Sequence, residues 1–483
     1  MQNQNSTRVF SNPYQAIAVL VGLAIWCWVD VWPRGRLDPD RPDTHRTDFT
    51  VYTTAGKAAL AGENPYSVTN ARGWSYLYLP SFALVVSPLA ILPEGWQCIV
   101  WFWISVACLY GAFREFALLN RWAFPGDGSV NAGQIASWGG IVCLFGFSLA
   151  TLNCLQRGQV GILQLYMTLL GGRMILTKAT RMSAMVGGAI LAGAIILKIS
   201  PALPTVILVG GLAFMAMRTH ASQMPGGTRS WSRMRPLTVT IGLLTGLAVG
   251  IWIFPASIVG WERNQTYLET WRRDVLARTN ELSNDPFAGD SHSTKNQSPM
   301  NGFWLLGNTL LSQENTRLGT RKLTPMDLPL GRLVLTTVRY VSIVSTAVAV
   351  VAILCRGGTN SLLVAFAVAN AATLLVVPIS RGHYFMAMWP AAVWVPRWLK
   401  RYEAEPREQC VHRQNLGTSK FTGGVQRKVS KFHLKNFLIT QIPPILLILH
   451  YTLERFTGPL GVLGIGVWLW LFLLTYAVVV PDQ

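Results

Sequence analysis

Apolar runs about as long as a bilayer is thick recur along this chain and constrain its fold more than any other feature. A spanning helix needs roughly 20 mostly apolar residues. The sequence therefore predicts an all-α polytopic membrane protein with about twelve spans, several of them short. We place the helices near residues 15–32, 77–92, 96–113, 135–154, 160–177, 184–214, 237–256, 332–355, 361–379, 383–399, 436–451 and 459–480.

The composition excludes an ordinary soluble protein. Hydrophobic residues make up 51% of the 483 positions and charged residues only 13%, with a mean hydropathy of +0.33, whereas soluble domains carry about a quarter charged residues. The net charge of +19 could indicate nucleic acid, but the basic runs lie between apolar segments. The seven cysteines form no disulfide framework or metal-binding spacing. The N-terminus lacks a small-residue cleavage site, so the first apolar run is interpreted as a retained helix.

Lysine and arginine predict the orientation, because positively charged loops are poorly translocated. The segments 215–236 and 397–435 are strongly basic and are therefore predicted to be cytoplasmic. In 257–331 eight acids balance eight bases, which predicts an external loop. Alternation of twelve spans puts the opening loop 33–76 on the same external face and both termini in the cytoplasm.

Three basic residues disagree with this alternation. Arg173, Lys178 and Arg181 fall where the twelve-span arrangement predicts the external side. Either the pair of helices in 135–177 does not cross fully, or these charges bind anionic lipid.

The first external loop contains the stretch TDFTVYTTAGKAALAGENPYS, Thr47 to Ser67. Its apolar residues recur at helical spacing and Gly62 is a suitable C-terminal stop, which predicts a short amphipathic helix on the membrane surface. Thr47 is the expected N-cap, and Asp48 would complement the helix dipole from the first turn. Capping alone would explain Asp48, and a catalytic role is the alternative.

Aromatic residues follow this helix in GENPYS and in GWSYLYLP. Trp74, Tyr76 and Tyr78 suit an interfacial aromatic belt. Sugar-binding sites also use tyrosine and tryptophan faces, and composition does not separate the two interpretations.

Ionisable residues within predicted spans are costly in lipid and therefore indicate function. Lys198 stands in the predicted helix 184–214, just before Pro201 and Pro204. An anionic ligand and a structural ion pair are the two explanations for this lysine.

Polar side chains also collect at turns. Arg381, His383 and Tyr384 are close together in PISRGHY, where they form either a phosphate site or an ordinary polar turn. LQRGQVGILQ carries Arg157 and Gln159 at the start of a span, and KNQSPMNG carries Asn296, Gln297 and Ser298 in the long external loop. The sequons at Asn264 and Asn296 matter only in a glycosylating compartment.

The order of these motifs resembles that of glycosyltransferase family 87, which includes polyprenol-phosphate-mannose-dependent mannosyltransferases. The resemblance runs from about 48 to 390 through the first-loop aspartate, GENPY, YLYLP with SPLAILP, RGQVGIL, LKISP, NQS and PISRGHY. One motif differs from the family pattern. PISRGHY stands where one form of the family has Ser-Trp-x-His-His. This departure leaves the acceptor and the sugar open.

The resemblance implies a GT-C type transmembrane bundle with its active site on the external, periplasmic face of the cell inner membrane. The donor would be a polyprenyl-phosphate sugar and the acceptor a lipid or glycan hydroxyl, with Asp48 as general base. Lys198, Arg381 and His383 become candidates for the donor phosphate. The further candidate substrate-binding residues are Asn64, Tyr66, Tyr78, Gln159, Asn296, Gln297 and Tyr384.

A single inverting displacement fits this arrangement and requires no cofactor. A base on the acceptor activates the hydroxyl and cations stabilise the departing phosphate, so a second carboxylate is not required. A divalent metal could assist, but the acids of RLDPDRPD are interpreted as a solvated loop. The expected parts are a catalytic module (1–400), a basic cytoplasmic loop (401–435) and a C-terminal transmembrane hairpin (436–483).

Two other functions share many of these features. A flippase or transporter of lipid-linked sugars would use a site at the bilayer midplane and would tolerate loss of Asp48. No internal repeat is evident, which weakens the inverted-repeat form of that alternative. A structural or assembly protein of the membrane leaves Lys198 unexplained.

Overall fold

The computed structural model describes residues 13–38, 40–41, 44–125, 138–178, 180–221, 229–277, 329–357, 359–376 and 382–399, with isolated residues in 298–311 and 445–475. These residues are mainly helical and contain one isolated β-bridge between Thr69 and Ser75. The chain divides into two compact units. The first comprises Met1–Trp122, Thr151–Ala202 and Leu212–Asn280, and the second comprises Ala123–Ala150, Leu203–Gly211 and Glu281–Gln483.

Helices follow one another closely through the first 277 residues. They are α1 (Pro13–Gly35), α2 (Phe49–Ala61), α3 (Pro80–Val86, continued by a 3-10 turn Ser87–Ile91), α4 (Glu94–Ala123), α5 (Trp138–Arg157), α6 (Gly161–Thr177), α7 (Arg181–Leu197), α8 (Ala202–Ala221), α9 (Arg229–Ala248, continued to Val259) and α10 (Trp261–Thr270, continued to Leu276). The later part contains α11 (Pro329–Cys355), α12 (Thr359–Val376) and a 3-10 turn Gly382–Met388 that leads into helical residues 389–399.

Four helices of the described part are long and apolar enough to cross a membrane: Pro13–Gly35, Glu94–Ala123, Met234–Val259 and Pro329–Cys355. A fifth candidate is the pair Gly146–Arg157 and Gly161–Thr177, bent by 118°. The all-helical prediction is therefore confirmed for the described residues, while twelve spans stay a prediction. The predicted loop 401–435 lies outside the described residues, and so does nearly all of 436–483.

The described residues leave the apolar surface of the first part of α1, Pro13–Trp26, uncovered. None of the residues Pro13–Trp26 is buried, and Ile17, Val21 and Ile25 are all more than half exposed. An uncovered apolar helix of this length is suited to lipid rather than to water.

The predicted span at 77–92 is wrong. The segment Pro80–Ile91 has 12 residues, about 18 Å of helix, whereas the hydrocarbon core is about 30 Å thick. The chain also returns, after residues 36–93, to the end of α1 from which it left. The start of α4 packs on the end of α1, since a Cβ at Gly35 would lie 2.5 Å from Cys98 Sγ. The segment between α1 and α3 contains only the 13-residue α2, which is also too short to cross.

If 77–92 is not counted as a span, the predicted side of Arg173, Lys178 and Arg181 changes, and they no longer disagree with the positive-inside rule. Arg173 lies in α6 and not in a loop. It forms an ion pair with the buried Glu115 of α4. This ion pair lies near the C-terminal ends of α4 and α6, far from Gly35. Lys178 follows α6, and its carbonyl accepts a hydrogen bond from Arg235. The loop at 178–180 therefore lies on the same side as the basic start of α9, as the positive-inside rule expects for cytoplasmic loops.

The predicted single helix 184–214 is two helices. The backbone of Lys198 is extended, with φ −165° and ψ 133°, and α8 begins four residues later at Ala202. Pro201 and Pro204 explain the break, because proline cannot continue a hydrogen-bonded helix and constrains the residue before it. Lys198 therefore stands at a helix end and not in the middle of a span.

The predicted first-loop helix is present, but it is not a surface helix. Helix α2 ends at Gly62, which has φ +83° and closes the helix with bonds to Ala58 and Ala59, as predicted. Nine of its 13 residues are buried, including the polar Thr50 and Thr53. It packs on α3 so closely that a Cβ at Gly56 would overlap the Ala83 carbonyl oxygen.

Glycines allow three helices of the first unit to pack closely. A Cβ at Gly171 of α6 would lie 2.9 Å from the Gly187 oxygen of α7. On the other side of α7, Gly242 of α9 lies against the Met185 carbonyl and Gly246 lies against Ala189. Small residues spaced four apart let membrane helices approach until their backbones touch.

The predicted external loop 257–331 begins with a helix. Tyr267 of α10 donates to the Ala59 oxygen at 3.3 Å, and Trp271 Nε1 donates to the Leu77 oxygen at 3.3 Å. The start of this loop therefore packs on the first loop, in agreement with their predicted location on one face. Asn264 is fully buried and donates to the Ile251 oxygen at 3.1 Å, so its sequon is inaccessible in the folded chain.

Helix α12 provides the core of the second unit. Every residue from Ser361 to Thr373 is buried. Its polar side chains have partners: Asn370 Nδ2 donates to the Ala387 oxygen at 3.0 Å, and Ser361 Oγ accepts from Trp398 Nε1 at 3.1 Å. These contacts join α12 to the helical segment 382–399.

A cysteine-labelling experiment tests the corrected topology. In a background without native cysteines, Lys178→Cys and Glu63→Cys should be labelled by an impermeant maleimide from opposite sides of the membrane, because 178 lies at the end of the first unit away from α2. Both residues are exposed, so accessibility is matched. Labelling of both from one side would contradict the arrangement.

Substitution of Gly242 tests the close packing. A Cβ at Gly242 overlaps the Met185 carbonyl, whereas one at Gly22 of α1 meets no atom within 4 Å. We expect Gly242→Ala to cost about 1–3 kcal/mol through overpacking. Thermal unfolding in detergent should show a lower Tm for Gly242→Ala than for the matched control Gly22→Ala. Equal Tm values would contradict the packing.

Candidate functional site

The start of α2 presents the Asp48 carboxylate away from the helix. The Phe49 amide donates to Thr47 Oγ1 at 3.2 Å, so Thr47 provides the capping oxygen that the sequence predicts. Asp48 occupies the N-cap position but makes no side-chain capping bond. A capping hydrogen bond therefore does not explain why an aspartate occupies position 48.

The turn after α5 lies directly on this helix start. Gly158 has φ +68°, a conformation that favours glycine, and the Gln159 amide closes α5 on the Cys154 oxygen at 3.0 Å. A Cβ at Gly158 would lie 2.8 Å from the Phe49 Cβ. The Asp48 amide donates to the Arg157 oxygen at 2.9 Å, so backbone bonds join the two segments.

Both side chains that flank Gly158 reach the Asp48 carboxylate. Gln159 Nε2 donates to Oδ2 in a short contact. Arg157 lies further away, with Nε 3.3 Å from Oδ2 and Nη2 3.5 Å from Oδ1. Asp48 is 7% exposed and Gln159 is 8% exposed. Burying a carboxylate is costly unless it is paired and hydrogen-bonded, and this turn supplies both interactions.

The same turn contacts a second carboxylate, Asp30, which the sequence analysis missed. Gln156 Nε2 donates to Asp30 Oδ2 at 2.7 Å, and Arg34 Nε donates to Oδ1 at 2.7 Å. Asp30 lies in a π-helical turn near the end of α1, a feature that is frequent at functional sites. The signal in the sequence is an acidic residue at the end of an apolar run.

Trp74 was interpreted as part of an aromatic belt, but it lies at this site. The Cζ of Arg157 is 5.4 Å from the centroid of the Trp74 ring, within the range of a cation–π interaction. The buried Asn70 joins this loop to the start of α2 by donating to the Thr47 oxygen at 3.2 Å. Sequence spacing gave no indication that 70–74 and 157 meet.

The structure brings Lys198 into the same neighbourhood. Gln164, which lies five residues after Gln159, donates to Ser200 Oγ at 2.8 Å and to the Lys198 oxygen at 3.4 Å. The break after α7 therefore lies beside the turn that holds Asp48.

Tyr66 and Tyr78 form an aromatic cluster with α2. Tyr52 lies one helical turn after Asp48, and its Oη is 3.3 Å from Tyr78 Oη. Tyr66 Oη donates to the backbone oxygen of Tyr78 at 3.0 Å. Burial raises the pKa of Tyr66 well above its usual value of 10, so its hydroxyl stays protonated. Asn64 closes the turn by accepting from the Tyr66 amide at 3.0 Å. These contacts give Asn64 and Tyr66 a structural role.

The remaining predicted residues belong to the second unit or lie outside the described residues. Tyr384 lies in the Gly382–Met388 turn of the second unit, and the described backbone of His383 belongs to the same turn. Arg381, Asn296 and Gln297 lie outside the described residues. Within the described part of the chain, no three His, Cys, Asp or Glu side chains converge as metal ligands would.

A buried histidine supports the start of α2 from the other side. His45 is fully buried, and its Nε2 is 2.7 Å from Thr50 Oγ1. Burial lowers the pKa of His45 below 6.5 and outweighs the opposing effects of the Arg36 backbone and Glu94. His45 is therefore neutral in the folded chain near neutral pH.

Comparison with known proteins finds one family. The model of glycosyltransferase family 87 matches residues 76–378, which is more than half of the chain. No curated protein and no solved structure matches the chain. The matched range contains Arg157, Gln159 and Lys198 but begins after Asp48, so the contacts of the 157–159 turn connect Asp48 to the matched part.

Acidification tests the burial of His45. The unfolded chain takes up a proton at this histidine near pH 6.5, whereas the folded chain does so only at lower pH. The unfolded state therefore binds more protons below about pH 6.5, and stability falls there. We expect the Tm to fall between about pH 7.5 and 5.5, and to fall less in His45→Gln. Identical pH profiles would show that His45 is not the group responsible.

Proposed function

The chain belongs to glycosyltransferase family 87, and on that premise we propose that it transfers a sugar, mannose in the simplest case, from a polyprenyl-phosphate carrier. The acceptor is a lipid or glycan hydroxyl. The observation that carries the mechanism is the Asp48 carboxylate, which is buried at the start of α2 and held by Gln159 and Arg157.

Asp48 is the proposed general base. A sugar hydroxyl is a weak nucleophile near neutral pH and needs a carboxylate within hydrogen-bond reach to accept its proton. The Arg157 guanidinium stabilises the charged form of Asp48, and Gln159 fixes its orientation.

Basic residues stabilise the departing phosphate. As the bond between the anomeric carbon and the phosphate oxygen breaks, negative charge grows on the phosphate, and preorganised cations stabilise it. Lys198 is one proposed contributor from the first unit, because its backbone lies beside the 157–159 turn. Arg381 and His383 are proposed from the family resemblance alone.

The proposed orientation places this chemistry on the external face of the cell inner membrane. The basic residues Lys178 and Arg235 lie together at the opposite end of the first unit from Asp48. Because basic loops are retained in the cytoplasm, the Asp48 end is assigned to the periplasmic side, with both termini in the cytoplasm.

Neutralising Asp48 tests the mechanism. Asp48→Asn keeps the shape of the side chain but removes its basicity, so transfer from a labelled polyprenyl-phosphate sugar should fall by about 10²–10⁴-fold, the usual contribution of a general base. The assay uses purified protein in detergent, mannose, glucose and arabinose donors, and a membrane extract as acceptor.

Glu63→Gln is the matched control, because Glu63 is an exposed carboxylate just after the end of α2. This variant should keep wild-type activity. Wild-type transfer by a correctly inserted Asp48→Asn would rule out Asp48 as the base. Movement of lipid-linked sugar across vesicles by the wild type, without transfer and unaffected by Asp48→Asn, would favour a flippase.

A further inference from the structure

Two arginines from distant parts of the chain lie against one indole ring. The Cζ of Arg72 is 4.5 Å from the centroid of the Trp74 ring, and the Cζ of Arg157 is 5.4 Å from it. Each contact is favourable because the aromatic face attracts cations. Together they hold two like charges at one ring, and a bound anion would relieve the repulsion between them.

The loop that carries Arg72 is held in place by one buried side chain. Asn70 is 7% exposed. Its Oδ1 accepts from the Arg72 amide at 3.0 Å and the Trp74 amide at 3.2 Å, and its Nδ2 donates to the Thr47 oxygen at 3.2 Å. The loop is therefore built against the residue that precedes Asp48, and the two guanidinium groups are positioned before any ligand arrives.

Both guanidinium groups retain donors for a ligand. Within the described residues, the Arg72 guanidinium has neither a hydrogen-bond partner nor an ion-pair partner, and its residue is exposed. Arg157 directs Nε and Nη2 at Asp48 and leaves Nη1 without a hydrogen bond in the same part of the chain. The Arg157 side chain is 22% exposed. Two positive charges and one carboxylate leave this group with a net charge of +1.

We propose that Arg72 and Arg157, held by the Trp74 ring, form the binding site for the phosphate of the prenyl-phosphate sugar donor. Guanidinium groups suit phosphate because their donors form a planar fork that matches two of its oxygens. The exposed Leu77 and Val85, each 60% exposed, follow the loop and offer apolar contact to a prenyl chain. This site rests on the proposed function for the identity of its ligand.

The charge of the site matches the charge that develops in the reaction. In the donor, the phosphate joins the sugar to the prenyl chain and carries one negative charge. When the bond from the anomeric carbon to the phosphate oxygen breaks, its electron pair stays on that oxygen. The acceptor oxygen forms the new bond to the anomeric carbon, and its proton passes to Asp48. The prenyl phosphate then carries a second negative charge, which two guanidinium groups stabilise better than one.

Arg72→Gln tests this site without touching Asp48. The probe is geranylgeranyl phosphate, and its equilibrium binding to the full-length protein in detergent is measured directly. Removing a charge-assisted contact should weaken binding by about tenfold or more. Arg72→Lys keeps the charge and should restore part of the affinity.

The matched control is Arg36→Gln. Arg36 is also exposed, and its Cζ also lies over an indole, 5.6 Å from the centroid of the Trp32 ring. Among the described residues no second guanidinium lies over that ring, so Arg36→Gln should bind the probe as the wild type does. An equal loss in both variants would indicate a general charge effect and overturn the assignment.

Two further ligands distinguish binding through the phosphate from binding through the prenyl chain. Geranylgeraniol lacks the phosphate, so Arg72→Gln should leave its binding unchanged; an equal loss would contradict a phosphate site. Inorganic phosphate lacks the prenyl chain and should bind more weakly, and binding as tight as that of the prenyl phosphate would overturn the lipid-linked assignment.

The binding assay also separates this inference from the proposed function. Arg72-dependent binding of geranylgeranyl phosphate by a protein that transfers no sugar would contradict the transferase proposal and leave the phosphate site standing. Normal sugar transfer by Arg72→Gln, with unchanged affinity for the probe, would contradict the phosphate site alone.

Discussion

The buried Asp48 carboxylate is the group around which the first unit is arranged. A charge at 7% exposure is tolerated only if other groups replace the water that it has lost. The replacements come from Arg157 and Gln159, more than a hundred positions away. They reach Asp48 only because Gly158 adopts φ +68° and has no Cβ to collide with Phe49. The burial of the Asp48 charge and the contact between two distant segments therefore depend on the same turn.

Close helix packing brings the rest of the site to that turn. Glycines 171, 187 and 242 let α6, α7 and α9 approach until backbone atoms touch, and α7 then ends where Gln164 contacts Ser200 and the Lys198 backbone. The same packing groups the basic residues at the opposite ends of these helices. The first unit therefore has an acidic group at one end and basic loops at the other. This distribution of charge agrees with insertion in one orientation.

Periodicity and proline identified local features correctly but misjudged which segments cross the membrane. Hydropathy alone cannot separate a crossing helix from the apolar segment 80–91, which is buried against α2 instead of spanning lipid. Counting that segment as a span puts Lys178 and Arg181 on the side opposite to the predicted cytoplasmic loops, whereas Lys178 contacts Arg235 at the basic start of α9. The predicted single helix 184–214 is divided into two helices at the prolines that follow Lys198. The amphipathic spacing of 49–60 predicted a surface helix, but its polar Thr50 and Thr53 are buried with hydrogen-bond partners.

The sequence by itself determined the membrane class, the helical content of the described residues, the Gly62 stop of α2 and the choice of Asp48 as the residue of interest. These follow from local rules: apolar length, helical spacing and the conformations open to glycine and proline. The tertiary structure alone decided that Asp48 is held by the 157–159 turn, that Asp30 shares that turn, and that Arg72 and Arg157 meet at Trp74. Such contacts join residues far apart in the chain, and no local pattern encodes the distance between two side chains after folding.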